Sequence, residues 1–470
     1  MANERPDLRQ EKFILMTTAP VQKLVLKLSL PTIASMLVTA LYNVADTYFV
    51  SSIGGYAGTC AIAAVSVALP VMALIQALGF FVGQGASNFI SRALGRKDVE
   101  KASEVAATGL FLALVLGLMV TALGELFTEP LARFLGADEE FIKPSAEYLR
   151  WILAAAPMMT GSFCINNQLR FQGNAVYAMI GVVSGAVLNV GLDPLLIHGL
   201  GMGAKGAALA TAVSQTVGFC VLFSGTFRGD NLRIHFRRIR VTLENLRIIA
   251  QGGLPSLLRQ GCGSLAAMVL NRTAGQVGQA NPEIGRVALI AAFGLVNKIM
   301  MMVNNVVIGL GQGYQPVCGF NYGAGQYSRV RKAFWFLVKT IACWCVLVIV
   351  LGELLAPRVV ALFPDAEEKV RELAAVILRF QCATFFVNCW VVPSNMTQQT
   401  MGWTASASTL AMARQGLFLV PLVLILPRLF GLTGLELAQP LSDFLTFCLA
   451  IPLQARVLRH LSQPDRGLAQ

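Results

Sequence analysis

Two acids stand in stretches whose other residues are almost all apolar. Asp46 lies in ALYNVADTYFV and Asp193 in VLNVGLDPLLI. A carboxylate in such surroundings is costly to bury, so each is a candidate for chemistry. Asn189 precedes Asp193 by four residues, which on a helix is one turn along the same face. Pro194 follows directly. Inside a helix it removes one hydrogen bond and clashes with the carbonyl four residues back, freeing backbone oxygen near the acid. Asn166 and Thr211, in the neighbouring apolar runs, offer amide and hydroxyl oxygens. Two carboxylates with such oxygens suit a hard monovalent cation such as Na+, held by Asp46, Asn166, Asn189, Asp193 and Thr211, or a shared proton. Spacing along the chain does not show that the two acids meet.

The second half of the chain differs. Its apolar runs carry Arg259, Lys298, Arg379, Arg414 and Glu436, with Asn271 near the place that corresponds to Asp46. Lys298 could pair with a carboxylate, contact an anionic substrate, or extend its stem along apolar surface to reach water. Met268, Met301 and their neighbours Met300, Met302 and Met412 offer soft, adaptable surface. Arg259, Met268, Lys298 and Met301 are therefore the candidate lining of a substrate cavity. No constellation for enzyme catalysis is present: the chain has no Walker A, G-x-S-x-G or H-E-x-x-H motif, and its three histidines lie far apart. The ten cysteines are scattered, without C-x-x-C pairs, and read as small buried hydrophobes. No cofactor is expected beyond a coupling ion.

The elements that must position these groups follow from composition. The chain has 470 residues, of which 55% are hydrophobic and 13% charged, and its mean hydropathy is +0.63. Soluble domains carry about 25% charged residues. A bilayer is the simpler solvent, and the length accommodates about twelve spans of about 20 residues each. Apolar runs fall at roughly 28–50, 60–84, 104–124, 146–169, 176–197 and 204–224, then at 252–275, 286–313, 333–355, 371–398, 404–427 and 434–457. The basic residues behind the net charge of +12 cluster at run ends rather than along one helix face, which argues for a membrane and against a nucleic-acid partner. Lys and Arg gather before the first run (Arg5, Arg9, Lys12, Lys23, Lys27), after the second (Arg92, Arg96, Lys97, Lys101), between the sixth and seventh (Arg228 to Arg247) and after the eighth (Arg329, Arg331, Lys332). These loops are expected on the cytoplasmic side, with both termini. The polar start lacks the order of a cleaved signal peptide, so the first span is expected to insert uncleaved.

The chain also repeats itself. Ser29-Leu30-Pro31 matches Gly253-Leu254-Pro255, and Gly83-Gln84-Gly85 matches Gly311-Gln312-Gly313. Lys101-Ala102 matches Lys332-Ala333, Leu149-Arg150 matches Leu378-Arg379, Gly173 matches Gly402 and Gly206 matches Gly434. Across these landmarks the offset stays between 224 and 231 residues. The expected architecture is an all-α membrane protein of twelve helices in two pseudo-symmetric six-helix bundles. It divides into a cytoplasmic tail (1–27), an N-terminal lobe (28–225), a basic linker (226–250), a C-terminal lobe (251–458) and a second tail (459–470). An even number of spans per repeat leaves both halves in one orientation, with a cavity between them, which is a transporter architecture.

Three segments, LPTIASMLVTALYNVADTYFVSSIG, GFFVGQGASNFISRALGRKD and NVGLDPLLIHGLGMGAKGAALAT, together resemble the multidrug and toxic compound extrusion (MATE) family, in its prokaryotic branch with an ion site in the N-terminal lobe. The resemblance spans roughly residues 20–460. It implies alternating access and export of organic, often cationic or amphipathic, compounds in exchange for H+ or Na+. It also implies that the ion site maps onto Asp46, Asn166, Asn189, Asp193 and Thr211. A bacterial or archaeal plasma membrane and a monomer are expected. A flippase for a lipid-linked or anionic precursor, of the same superfamily, is the alternative that Arg259, Lys298 and Arg414 would favour.

Overall fold

Backbone in hydrocarbon must satisfy its hydrogen bonds within its own segment, so apolar runs of this length fold as helices. The computed structural model describes residues 8–228, 231–280, 285–361 and 367–465. Arg5 and the rest of 1–7, residues 229–230 of the linker, and 466–470 of the second tail lie outside the described residues.

The N-terminal lobe follows a short helix α1 (Leu8–Thr18). Its helices are α2 (Val21–Ser51), α3 (Gly55–Gly95), α4 (Val99–Leu126), the short α5 (Thr128–Phe134), α6 (Ile142–Phe171), α7 (Ala175–Pro194) and α8 (Gly203–Gly225). A π-turn, Leu195–Gly199, extends α7 beyond Pro194. The C-terminal lobe comprises α9 (Leu243–Ala280), α10 (Arg286–Gly323), α11 (Tyr327–Val360), α12 (Glu368–Ala383), α13 (Asn388–Met401), α14 (Thr404–Met412) and α15 (Val420–His460). A 3₁₀ turn, Phe385–Val387, joins α12 to α13 as one span. A second π-turn, Ala413–Leu419, joins α14 to α15.

Gly431 breaks this last run in two. Its φ of 58° lies in the left-handed region that glycine adopts without strain, and Gly434 comes back against the Leu426 carbonyl. The described residues are otherwise helix, turn and short connection, with no strand among them. The spans are thus α2, α3, α4, α6, α7 and α8, then α9, α10, α11, α12 with α13, and the two arms on either side of Gly431. They form the twelve-helix fold expected from the sequence. Several exceed what the bilayer needs: at 1.5 Å per residue the 41-residue α3 is about 60 Å long, against about 30 Å of hydrocarbon. Helix α9 already begins at Leu243, because Leu246 and Ile249 continue its apolar face below the membrane run.

The repeat landmarks turn out to be the seam between the lobes. Gly85 of α3 lies against the Ile249 carbonyl and the Gly253 backbone of α9, with no room for a side chain. Gly313 of α10 lies in the same way against Ser29 of α2, whose Oγ donates to the Leu310 carbonyl at 3.1 Å. Each Gly-Gln-Gly motif therefore meets the Ser/Gly-Leu-Pro motif of the other lobe, a reciprocal contact of pseudo-twofold kind. Fully buried Arg170 bridges the same seam, donating to Gln312 Oε1 at 2.5 Å and to Asn167, while Arg92 donates to the Thr400 carbonyl at 3.1 Å. These contacts lie toward the end of the molecule where the basic loops gather.

Candidate ion and substrate sites

Helices α2 and α7 run in the same direction, and one side-chain contact sets their register. Ser52, just past α2, lies 3.0 Å from His198 Nε2 in the π-turn after α7. Asp46 lies six residues before Ser52 and Asp193 five before His198. At 1.5 Å per residue both carboxylates sit about 7–9 Å below that contact, at nearly one depth. They are near enough for the charge of Asp46 to act on Asp193.

Thr211 is brought to the same level from the other side. Helix α8 runs opposite to α7, with Gly206 against the Leu196 carbonyl and Gly185 against that of Ser214. Thr211 falls between these contacts and so lies opposite the Asn189–Asp193 turn. Asn189, Asp193 and Thr211 are all buried, Asp193 completely. Asn189 Nδ2 lies 3.5 Å from Asp193 Oδ1, a long contact. Asp46 Oδ1, Asn189 Oδ1 and Asp193 Oδ2 are buried acceptors with no donor. Leaving a polar group buried and unmatched costs about 1–3 kcal/mol, more when it is charged. A cation or a proton is what three orphaned acceptor oxygens fit. The donors on offer here are two carboxylates with the amide oxygen of Asn189 and the hydroxyl of Thr211.

Two tyrosines not singled out from the sequence belong to this site. Tyr42 is one turn before Asp46 and within reach of its charge, and buried Tyr148 of α6 is within reach of both acids. Their positions carried no signal, because an aromatic in an apolar run is ordinary membrane core.

Asn166 lies elsewhere. Its Nδ2 donates to the Ala178 carbonyl at 3.0 Å. Ala178 lies eleven residues before Asn189, about 16 Å of helix rise. The structure thus brings Asp46, Asn189 and Asp193 together, sets Thr211 at their level on α8, and leaves Asn166 on the seam between α6 and α7.

The cavity residues of the C-terminal lobe are spread over two helices. Met268 of α9 and Met301 of α10 are exposed, at 69% and 47%. Lys298 is exposed one turn before Met301, and among the described residues no carboxylate pairs with it. Arg259 is half-buried on α9. Asp443 was missing from the sequence-based inventory of charged groups in this lobe. Its carboxylate accepts from Arg414 Nε at 2.7 Å and from Gln439 Nε2 at 2.9 Å. The pair joins α15 to the π-turn of residues 413–419, and Ser442 Oγ donates to the Arg414 carbonyl. Arg414 is thus neutralised and does not serve as a free cation. The signal that would have found Asp443 was Arg414 itself, since an arginine at that depth requires a partner.

The MatE family model matches residues 31–195 and 255–425, one segment in each lobe. The chain is 29% identical over 434 residues to the multidrug export protein MepA of Staphylococcus aureus strain N315, covering 91% of this chain and 92% of that protein. It is 26% identical over 458 residues to MepA of Staphylococcus haemolyticus, covering 96% and 98%. Among solved structures it resembles an outward-facing multidrug resistance MATE family transporter of the MOP superfamily, with a TM-score of 0.88, 27% identity, and coverage of 96% of this chain and 99% of that one. A MOP superfamily transporter from Pyrococcus furiosus, described as having a binding pocket of reversed polarity, matches with a TM-score of 0.87 and 27% identity, covering 96% of this chain and 99% of that one.

Proposed function

The chain belongs to the MatE family, and from that premise we propose that it exports organic, amphipathic toxic compounds in exchange for H+ or Na+. It is a multi-pass membrane transporter, and its relatives are named for multidrug export. The observation that carries the coupling reading is the set of three orphaned oxygens on Asp46, Asn189 and Asp193, within one helical turn of each other in depth between α2 and α7. An ion or proton bound there stabilises the present α2–α7 register. Its release allows α2 to move, and α2 also carries Ser29, on the seam against Gly313. Ion occupancy and the lobe seam are thus coupled through one helix with a proline, Pro31, between the two. In this reading the basic loops face the cytoplasm with both termini, the membrane is the plasma membrane, and the protein works as a monomer.

The exposed Lys298 supports a second reading, a flippase for an anionic or lipid-linked precursor. A lipid-translocation assay separates the two, since an exporter of soluble compounds leaves it silent.

The experiment is a susceptibility panel in an efflux-deficient host with and without the chain. Resistance to several unrelated organic compounds is expected. It should collapse with a protonophore if H+ drives export, or in sodium-free medium if Na+ does. Unchanged susceptibility to every compound, with the protein present in the membrane, would reject the proposal.

A further inference from the structure

A crevice of about 440 Å³ opens at the basic end of the molecule, between the start of α2 and the start of α11. It is lined by Arg329, Arg331, Lys332 and Lys339, by Trp335 and Phe336, and by Pro20, Val21 and Gln22, with no carboxylate among them. Two of the four cations are already engaged. Arg329 donates to Asn321 Oδ1 at 2.7 Å and to the Ala19 carbonyl at 2.6 Å, where α1 meets α2. Arg331 donates weakly to Ser462 at 3.4 Å and is within electrostatic reach of Asp465. Lys332 and Lys339 are exposed, and among the described residues neither forms an ion pair.

The internal repeat shows that this is a departure from the other lobe. Lys101 of α4 stands at the position equivalent to Lys332, and it is held by Glu104 and Glu244, each at 3.3 Å. At the same offset Trp335 replaces Glu104 and Lys339 replaces Thr108. One lobe closes its lysine with acid; the other removes the acid, adds a second lysine and places an indole between them. Trp335 is fixed by Trp390 and Phe334, at ring distances of 5.8 and 5.7 Å, and remains 43% exposed.

We propose that this crevice binds the phosphodiester headgroup of an anionic phospholipid. Lys332, Trp335, Phe336 and Lys339 share one face of α11, at the spacing i, i+3, i+4, i+7. The face continues as exposed Cys343, Val346 and Val350, and the neighbouring face of α2 continues from Gln22 as exposed Leu26 and Leu30. The two cations therefore stand at the head of a double apolar track, which fits acyl chains and not a free anion. Basic pockets between spans with interfacial Trp are suited to such headgroups. Because α2 and α11 pack together here, a lipid in the crevice braces the end of α2 that carries Ser29 at the lobe seam.

The test uses the purified full chain in detergent and native mass spectrometry with dioleoyl phosphatidylglycerol or dioleoyl phosphatidylcholine. Retention of the anionic lipid over the zwitterionic one is expected. Lys332→Gln/Lys339→Gln should weaken phosphatidylglycerol binding about 30-fold, the equivalent of about 1 kcal/mol for each lysine near an anionic headgroup. Lys332→Arg/Lys339→Arg should retain it. Millimolar inorganic phosphate should not displace the lipid. Equal retention of both lipids, unweakened binding in the Gln variant, or full displacement by phosphate would each overturn the proposal. If the Gln variant does not fold, the lipid preference and the phosphate displacement of the unaltered protein decide it.

Discussion

Replacing Asp443 with alanine leaves Arg414 without its counter-charge inside the C-terminal lobe. The pair is short, 2.7 Å from Nε to Oδ1, and the Asp443 side chain is only 4% exposed. Removing one partner of a buried pair typically costs about 3–5 kcal/mol, because a charge is left uncompensated. The Arg414 side chain is 25% exposed and can swing its head toward water, which places the loss at the lower end, about 3 kcal/mol. Gln439 loses its acceptor as well. Replacing both charges, as Arg414→Leu/Asp443→Leu, removes the desolvation of two ions together with their attraction, and should change stability by about 1 kcal/mol or less. The assay is equilibrium unfolding of the detergent-solubilised chain by SDS, followed by tryptophan fluorescence, in a double-mutant cycle. The reasoning fails if Asp443→Ala costs less than about 1 kcal/mol, or if the double variant is as unstable as the single.

Three further outcomes follow from the geometry. Thr211→Ala should impair ion coupling, whereas Asn166→Ala should leave it intact, because Asn166 bonds to Ala178 some 16 Å of helix rise away from Asn189; paired ion-flux measurements on the two variants check this. Gly313→Leu places a branched side chain where Ser29 already sits, so cross-linking between α2 and α10 should fall relative to the unaltered chain. The Asp465 carboxyl accepts from the Ser328 hydroxyl and backbone N–H, the latter at 2.8 Å, which holds it below the usual carboxylate range. A depressed folded value means that this contact's contribution to holding residues 459–465 is full above about pH 4, the ordinary aspartate value, and is lost as pH falls through the lowered folded value; protease accessibility of that segment against pH, with Ser328→Ala as control, reads this out.

The spans were legible because hydropathy over about 20 residues reports the solvent of a helix directly. The repeat was legible too, and its landmarks proved to be the residues that let the lobes touch, such as Gly85 on Gly253 and Gly313 on Ser29. The common depth of Asp46 and Asp193 could not be read from the sequence, because it depends on how α2 slides along α7, fixed here by Ser52 and His198. Asn166 illustrates the converse. Its residue type suits an ion ligand, but type says nothing about height along a helix. Asp443 escaped notice because Leu441, Phe444 and Leu445 outweigh one acid in a hydropathy average, although Arg414 on the neighbouring arm required it.

The most direct test of ion coupling at Asp46 and Asp193 is drug-driven ion movement in proteoliposomes. A fluorescent organic substrate added to vesicles containing the unaltered chain should drive counter-movement of H+ or Na+. Asp46→Asn and Asp193→Asn should each abolish that flux while the solubilised protein still binds the substrate. Undiminished ion flux in both variants would contradict the assignment.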